Sequence, residues 1–266
     1  MATANLYERM RPAEIVKARK ACPVAYLPIG TIEWHGLQNP VGLDAIKAHL
    51  LCQRCATATG GMVFPPLWYG ESRSDCLMEA TAAAAEDICK LMELPPENVA
   101  PERARFSVRE QYDNYQRLLL HMLTEIQNLG FKLVVILAGH YPLIDHARAA
   151  CHLFHQARFN NKRAQMLSWV FTGYELVKDE FPEAGDHAGF WETSLLMALQ
   201  PELVDLSTLP NDPKVNIVGV LSERPVQESS AEYGERAIAR IVEKVGAQVK
   251  HRLENPGDYY MHGWKA

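Results

Sequence analysis

Glu33 and His35 stand two residues apart in the run Gly30-Thr31-Ile32-Glu33-Trp34-His35-Gly36, and Asp44 follows a few residues later. These groups come just after an apolar stretch, Val24-Ala25-Tyr26-Leu27-Pro28-Ile29. Charged and imidazole side chains at the end of a buried strand serve packing badly and suit a metal ion. In extended backbone, side chains two residues apart point the same way, so Glu33 and His35 can reach one ion or an adjacent pair.

Two further patches extend the set. Lys132-Leu133-Val134-Val135-Ile136-Leu137-Ala138 reads as a strand buried on both faces. It stops at Gly139-His140-Tyr141, where glycine permits a sharp turn and the histidine emerges at the strand end. Downstream, Asp186-His187-Ala188-Gly189-Phe190-Trp191-Glu192-Thr193-Ser194 leads into the apolar Leu195-Leu196-Met197-Ala198-Leu199. Glu33, His35, Asp44, His140 and Glu192 form a mixed oxygen and nitrogen set suited to zinc, manganese or iron(II). Each has a plainer reading. Asp44 can cap the following helix, Glu192 can sit at a helix start for its dipole alone, and His187 can merely brace a turn. The expected role for His187 is proton transfer, because an imidazole titrates near neutrality.

With these motifs in their order, the chain resembles the creatininase (creatinine amidohydrolase) family. The matching segments are Leu27-Pro28-Ile29-Gly30-Thr31-Ile32-Glu33-Trp34-His35-Gly36, Asp44, Gly139-His140-Tyr141, and His187-Ala188-Gly189 with Glu192-Thr193-Ser194. Weaker agreement runs through Pro201-Glu202-Leu203-Val204 into the C-terminal part. The resemblance implies an α/β fold and a metal centre, often binuclear, that hydrolyses cyclic amides or other C–N bonds. It further implies Glu33 and His35 as ligands of different metals, Asp44 bridging them, and His140 as the histidine of the third motif. A closed homo-oligomer, commonly a hexamer, is implied as well. One departure matters. Creatininase-like members carry a glutamate two residues after the third-motif histidine, where this chain has Pro142. Either Glu192 completes the second metal site, or that site is weak, or a single metal binds.

The elements that must position these residues follow from periodicity. Strands are expected at 23–29, 62–65, 132–138, 164–170 and 215–220, separated by helices. The alternation predicts a single α/β domain, residues 1–266, with a mainly parallel central sheet flanked by helices. Ligands then gather beyond the carboxyl ends of the strands. Apolar spacings of three and four predict a helix over 111–129, stopped by Gly130. Ser229-Ser230-Ala231-Glu232 reads as a capping box opening a helix to about Leu253. The helix after Asp44 carries Leu50, Leu51 and Cys55 inward. Residues 70–107 form a divergent insertion, with a helix from Ala80 to Met92 and proline breaks after it, placed as a lid or an oligomer contact.

Composition limits the rest. A chain of 266 residues can bury about 75% of its unfolded surface. A net charge of −5 with interspersed signs argues against nucleic acid or an anionic membrane as partner. Met1 to Met10 lack the pattern of a signal peptide, and six dispersed cysteines fit reduced thiols, so a cytoplasmic address is expected. His49, Cys52 and Cys55 lack the partners of a structural zinc site and read as core positions. His152 and His155 read as partly exposed helix residues. Trp34, Tyr141, Phe190 and Trp191 flank the ligands and are candidates for an apolar wall around a ring-shaped substrate. No Gly-x-Gly-x-x-Gly or P-loop follows a predicted strand, which argues against nucleotide binding. The expected activity is metal-dependent hydrolysis, by metal-activated water, of a small cyclic amide or related carbonyl substrate. The rivals are C–C hydrolysis of a cyclic diketone, such as an oxidised inositol of the 3-dehydro-scyllo-inosose kind, and metal binding without turnover.

Overall fold

The structure, a computed structural model, describes residues 5–70, 83–100, 103, 105–156 and 166–259. Five parallel strands form its sheet: β1 (Asn5–Leu6), β2 (Val24–Ile29), β3 (Met62–Val63), β4 (Leu133–Ala138) and β5 (Leu167–Phe171), in the spatial order β1-β3-β2-β4-β5. From β2 the chain turns toward β3 on one side, and from β4 it turns toward β5 on the other. The carboxyl ends of β2 and β4 are therefore the switch point of the sheet, where open α/β folds bind ligands. The two strands are in full register from Val24↔Leu133 to Ile29↔Ala138, which sets Gly30 beside Gly139.

Period-two alternation distributes the strand residues to two cores. Helix α1 (Pro12–Ala21) precedes β2 and α6 (Tyr174–Val177) follows β5, while Val24, Tyr26, Leu133, Val135, Leu137 and Phe171 face α2 (Leu43–Thr59), α7 (Phe190–Leu199) and α8 (Ala231–Glu254). Ala25, Leu27, Ile29, Val134, Ile136 and Val170 face α4 (Val108–Asn128) and α5 (Leu143–Gln156). Pro28 is tolerated in this central strand for a local reason. Even-numbered residues of β2 bond toward β3, which ends at Val63, and Pro28 need only accept there, from the Leu67 N–H at 3.1 Å.

Several expectations hold and some need correction. Strands at 24–29, 62–63, 133–138 and 167–171 match the predicted ones, and Gly130 ends α4 with φ 87°. The strand expected at 215–220 does not form. Asp212-Pro213 and Gly219, with φ 70°, break the segment into turns, and Val218 packs over Trp34 instead. The box at the start of α8 is also absent: Ser230 is the cap, accepting from the Tyr233 N–H at 3.2 Å, so its third helical position is a tyrosine. α4 begins earlier than predicted because Ser107 and Glu110 form a reciprocal capping box. Leu51, Cys52 and Cys55 are buried, Leu50 only partly. His155 is buried, facing the Ser168 hydroxyl at 3.2 Å, rather than partly exposed. Within the 70–107 insertion, α3 (Ala85–Leu91) packs Ile88 and Cys89 against Trp34 as a satellite cluster. Residues 71–82, 101–102 and 104, which carry much of the expected lid, lie outside the described residues.

Candidate metal centre

Two glycines let the site form. A Cβ on Gly30 would stand 2.4 Å from the Ala45 nitrogen, and one on Gly139 would stand 2.0 Å from the Asp44 carbonyl oxygen. Only residues without a side chain permit the first turn of α2 to rest on the ends of β2 and β4. Asp44 is the second residue of α2, and this contact delivers its carboxylate between the two strand ends. It is not the helix cap; Gly42 holds that position, and the Asp44 oxygens face His35, His140 and Lys47. Glu33 and His35 come from the loop directly after β2. His140 comes from the turn after β4, whose carbonyl accepts the Leu143 N–H to start α5. Pro142 stands immediately before α5, contributing a fixed φ to the entry of the helix and no ligating atom.

The five predicted ligands converge. Glu33, His35, Asp44, His140 and Glu192 are all buried. His140 Nδ1 lies 2.8 Å from Glu33 Oε1 and 3.3 Å from Asp44 Oδ2. His35 Nε2 lies 3.3 Å from Asp44 Oδ1 and 3.8 Å from Glu192 Oε2. Asp44 thus turns one oxygen toward each imidazole. Three groups can each surround an ion with ligand atoms within 4.8 Å of one another: Glu33–Asp44–His140, His35–Asp44–Glu192 and Glu33–His35–His187.

The electrostatics favour a cation here. Three buried carboxylates so close together are costly without positive charge between them. Glu33 Oε2, His35 Nε2 and Asp44 Oδ2 are buried with no hydrogen bond of acceptable geometry. The His35 Nδ1 lies 3.1 Å from the Glu33 carbonyl, which can only accept, so that nitrogen carries a hydrogen and Nε2 is the one that faces the carboxylates. Burial opposes protonation of His35, but Asp44, Glu192 and Glu33 outweigh it and lift it to about 9. His140 is likewise lifted to about 10, burial being overcome by Asp44 and Glu33. Burial works against the charged form of Asp44, yet His35, His140 and Lys47 hold its carboxyl well below the usual range. Protons thus collect where a divalent ion fits, and the donor set of carboxylate oxygens and imidazole nitrogens matches zinc, manganese or iron.

His187 is placed differently. Its Nε2 sits 3.0 Å from the Trp34 carbonyl, which fixes the proton on that nitrogen and leaves the Nδ1 lone pair turned inward, 3.8 Å from Glu33 Oε1. Leu221 pins its backbone through a two-bond antiparallel bridge. This single bridge is what remains of the strand expected nearby. Burial, then His35, keeps the His187 pKa below its ordinary value. The next residue, Ala188, has φ 54°, an unfavourable conformation held by its N–H bond to Glu192 Oε2 at 2.8 Å.

Three participants escaped the sequence reading. Lys47 is buried beside the ligands and donates to Glu192 Oε1. Asp186 accepts from the backbone N–H groups of Trp191 (2.8 Å) and Glu192 (3.2 Å), capping α7; burial, then Glu192, pushes its carboxyl up to about 7. Tyr174 meets Tyr141 edge-on with ring centroids 4.7 Å apart. Glu33, Asp44, His140, His187 and Glu192 line a cavity of about 640 Å³, with Tyr141 and Tyr174 also among its walls. The other aromatic residues expected there do not line it. Trp34 donates to the Val218 carbonyl at 2.8 Å, Phe190 packs on Tyr233, and Trp191 is wholly buried in the main core.

Such a fold and cluster define an α/β protein with a parallel sheet and a candidate metal centre at its switch point. The creatininase family model, described as creatinine amidohydrolase, matches residues 8–249, and the chain belongs to that family. Among relatives, it is 24% identical over 201 residues to the creatinine amidohydrolase of Pseudomonas putida, covering 71% of this chain and 69% of that protein. It is 23% identical over 246 residues to the 3-dehydro-scyllo-inosose hydrolase of Thermotoga maritima, covering 84% and 68%. A crystal structure of creatinine amidohydrolase superposes with a TM-score of 0.70 at 22% identity, over 96% of this chain and 99% of that one. Solved creatininases include a Zn–Zn form and a manganese form. No helix among the described residues is long and apolar enough to cross a membrane.

Proposed function

We propose that the protein opens a small cyclic amide or related carbonyl compound by hydrolysis, with one or two divalent ions (zinc, manganese or iron) at this centre. The observation that carries the reading is the convergence of Glu33, His35, Asp44, His140 and Glu192, four of them lining a cavity, beside an oriented His187. Glu33, Asp44 and His140 would hold one ion; His35, Asp44 and Glu192 form a second group. A bound divalent ion lowers the pKa of water toward neutrality and polarises a carbonyl oxygen.

His187 supplies the proton chemistry. With its Nε2–H anchored on Trp34, its Nδ1 accepts a proton from the attacking water as the new C–O bond forms. It returns that proton to the leaving nitrogen as the C–N bond breaks. Its lowered pKa keeps it in the base form at neutral pH. Tyr141 and Tyr174 give a flat ring its apolar flank. The test is product analysis after incubation of the metal-loaded protein with cyclic ureides and lactams. Ring-opened acids, heavier by one water, support the reading; inertness toward every C–N substrate counts against it.

A second reading is hydrolysis of a C–C bond in a cyclic polyol ketone. It is favoured by the polar residues Lys178, Glu183, Ser222 and Glu223 among the cavity lining, and by the inosose hydrolase relative. Ring opening of a polyol ketone but of no amide would select it. A closed homo-oligomer, commonly a hexamer, and a cytoplasmic address belong to the same proposal. Sedimentation showing only a 29.9 kDa species at micromolar concentration would contradict the oligomer.

A further inference from the structure

We infer that the Lys47 ammonium is a built-in cation that occupies the second of the two ligand groups, so that the centre binds a single divalent ion, at Glu33, Asp44 and His140. The inference rests on the metal-hydrolase reading above and narrows it.

Lys47 stands one turn beyond Asp44 on α2, so both side chains leave the same face of the helix. Its side chain is only 2% exposed, a rare state for lysine unless its charge is paired. Its Nζ donates to Glu192 Oε1, lies 3.7 Å from Asp44 Oδ1 and stands 4.6 Å over the Tyr141 ring. These are two of the three residues of the His35–Asp44–Glu192 group. The other Glu192 oxygen is also engaged, by the Ala188 N–H at 2.8 Å. Glu192, the residue expected to complete a second metal site, therefore already has partners on both oxygens. By contrast, Asp44 Oδ2 faces His140 on the side away from Lys47's contact with Oδ1, and no ammonium contacts Glu33 or His140 among the described ion pairs.

Charge points the same way. Glu33, Asp44 and Glu192 outnumber the Lys47 ammonium, and one divalent ion at the first group offsets the excess. A second ion would share Asp44 and Glu192 with an ammonium that has no exit to solvent. A solved creatininase is described as a Zn–Zn form; in the present chain a covalently attached cation supplies the second positive charge and orients Glu192 without being lost by chelation.

The experiment is a count of bound manganese. Metal-free protein is incubated with excess Mn²⁺, freed of unbound metal and assayed by elemental analysis, in the wild type and in Lys47→Met and Lys47→Gln. One ion per chain in the wild type, rising toward two in whichever variant folds, is the expected result. Anomalous diffraction at the manganese edge on the wild type should show one peak among Glu33, Asp44 and His140 and the Lys47 side chain still on Glu192, which tests the inference even if neither variant folds. Two ions in the wild type, or a single peak at His35 and Glu192, would overturn the inference and leave the hydrolase reading standing. A folded variant that still binds one ion would remove Lys47 as the cause. No manganese at all, and none with Zn²⁺, would remove the metal-hydrolase reading and this inference with it.

Discussion

Gly139 approaches Asp44 so closely that a Cβ on the glycine would stand 2.0 Å from the aspartate's carbonyl oxygen. The contact is backbone against backbone, and neither side can yield by rotating a side chain. Gly139→Ala is expected to push α2 away from β4 and to cost about 1–3 kcal/mol or more, as overpacking does. Thermal unfolding should register the loss, and the displaced Asp44 should weaken metal binding in any fraction that folds. An alanine variant with unchanged stability and metal content would show that the helix can move without consequence.

His140→Ala removes the imidazole that lies 2.8 Å from Glu33 and 3.3 Å from Asp44. Metal occupancy measured after dialysis should fall sharply. Full occupancy in this variant would take His140 out of the ligand set.

His187→Ala should behave in the opposite sense. Its imidazole is anchored on the Trp34 carbonyl, so its removal leaves the Glu33–Asp44–His140 group intact. Metal content should be retained while turnover falls on the order of 10²–10⁴-fold, the usual scale for general acid–base catalysis. Loss of metal with the side chain would instead assign His187 to the Glu33–His35–His187 group.

Metal affinity should rise with pH. Without an ion, His35 and His140 are lifted to about 9 and about 10 by the surrounding carboxylates, despite burial. Near neutrality both imidazoles are protonated, and a metal must displace the proton of each imidazole that ligates it. Affinity should therefore increase about tenfold per pH unit for each proton released, until the pH reaches those values. Calorimetric titration in two buffers of different ionisation enthalpy counts the protons directly. An affinity flat between pH 6 and 8 would mean that no ligand is protonated in the metal-free protein.

The candidate ligands were legible because each is a polar residue in a place where burial punishes polarity. Glu33 and His35 follow a wholly buried strand, and His140 follows another. Lys47 left a fainter trace. It lies near the inward stripe of Asp44, Ala48, Leu51 and Cys55, where a lysine is out of keeping, but long side chains so often extend to water that position alone does not mark one as buried. The roles of Gly30 and Gly139 depended on a tertiary contact that no local pattern reveals. The segment 215–220 misled because its apolar residues do find a core. That core is the satellite cluster around Trp34 and not the sheet, and the turns at Pro213 and Gly219 decided against a strand. The aromatic residues flanking the ligands misled in a similar way, since three of the four point into packing and one into the cavity.

The register of β2 on β4 brings Ile29 beside Ala138 across more than a hundred residues of intervening chain. Pairings of such long range form slowly, because the entropy of closing the loop is spent before any contact repays it. During synthesis, Glu33, His35 and Asp44 leave the ribosome long before His140 exists to face them, and Glu192 and His187 come later still. The nascent chain therefore presents scattered ligands with little hold on any ion. Metal capture belongs to the finished fold, and an ion that binds only there should slow unfolding while leaving the rate of folding nearly unchanged.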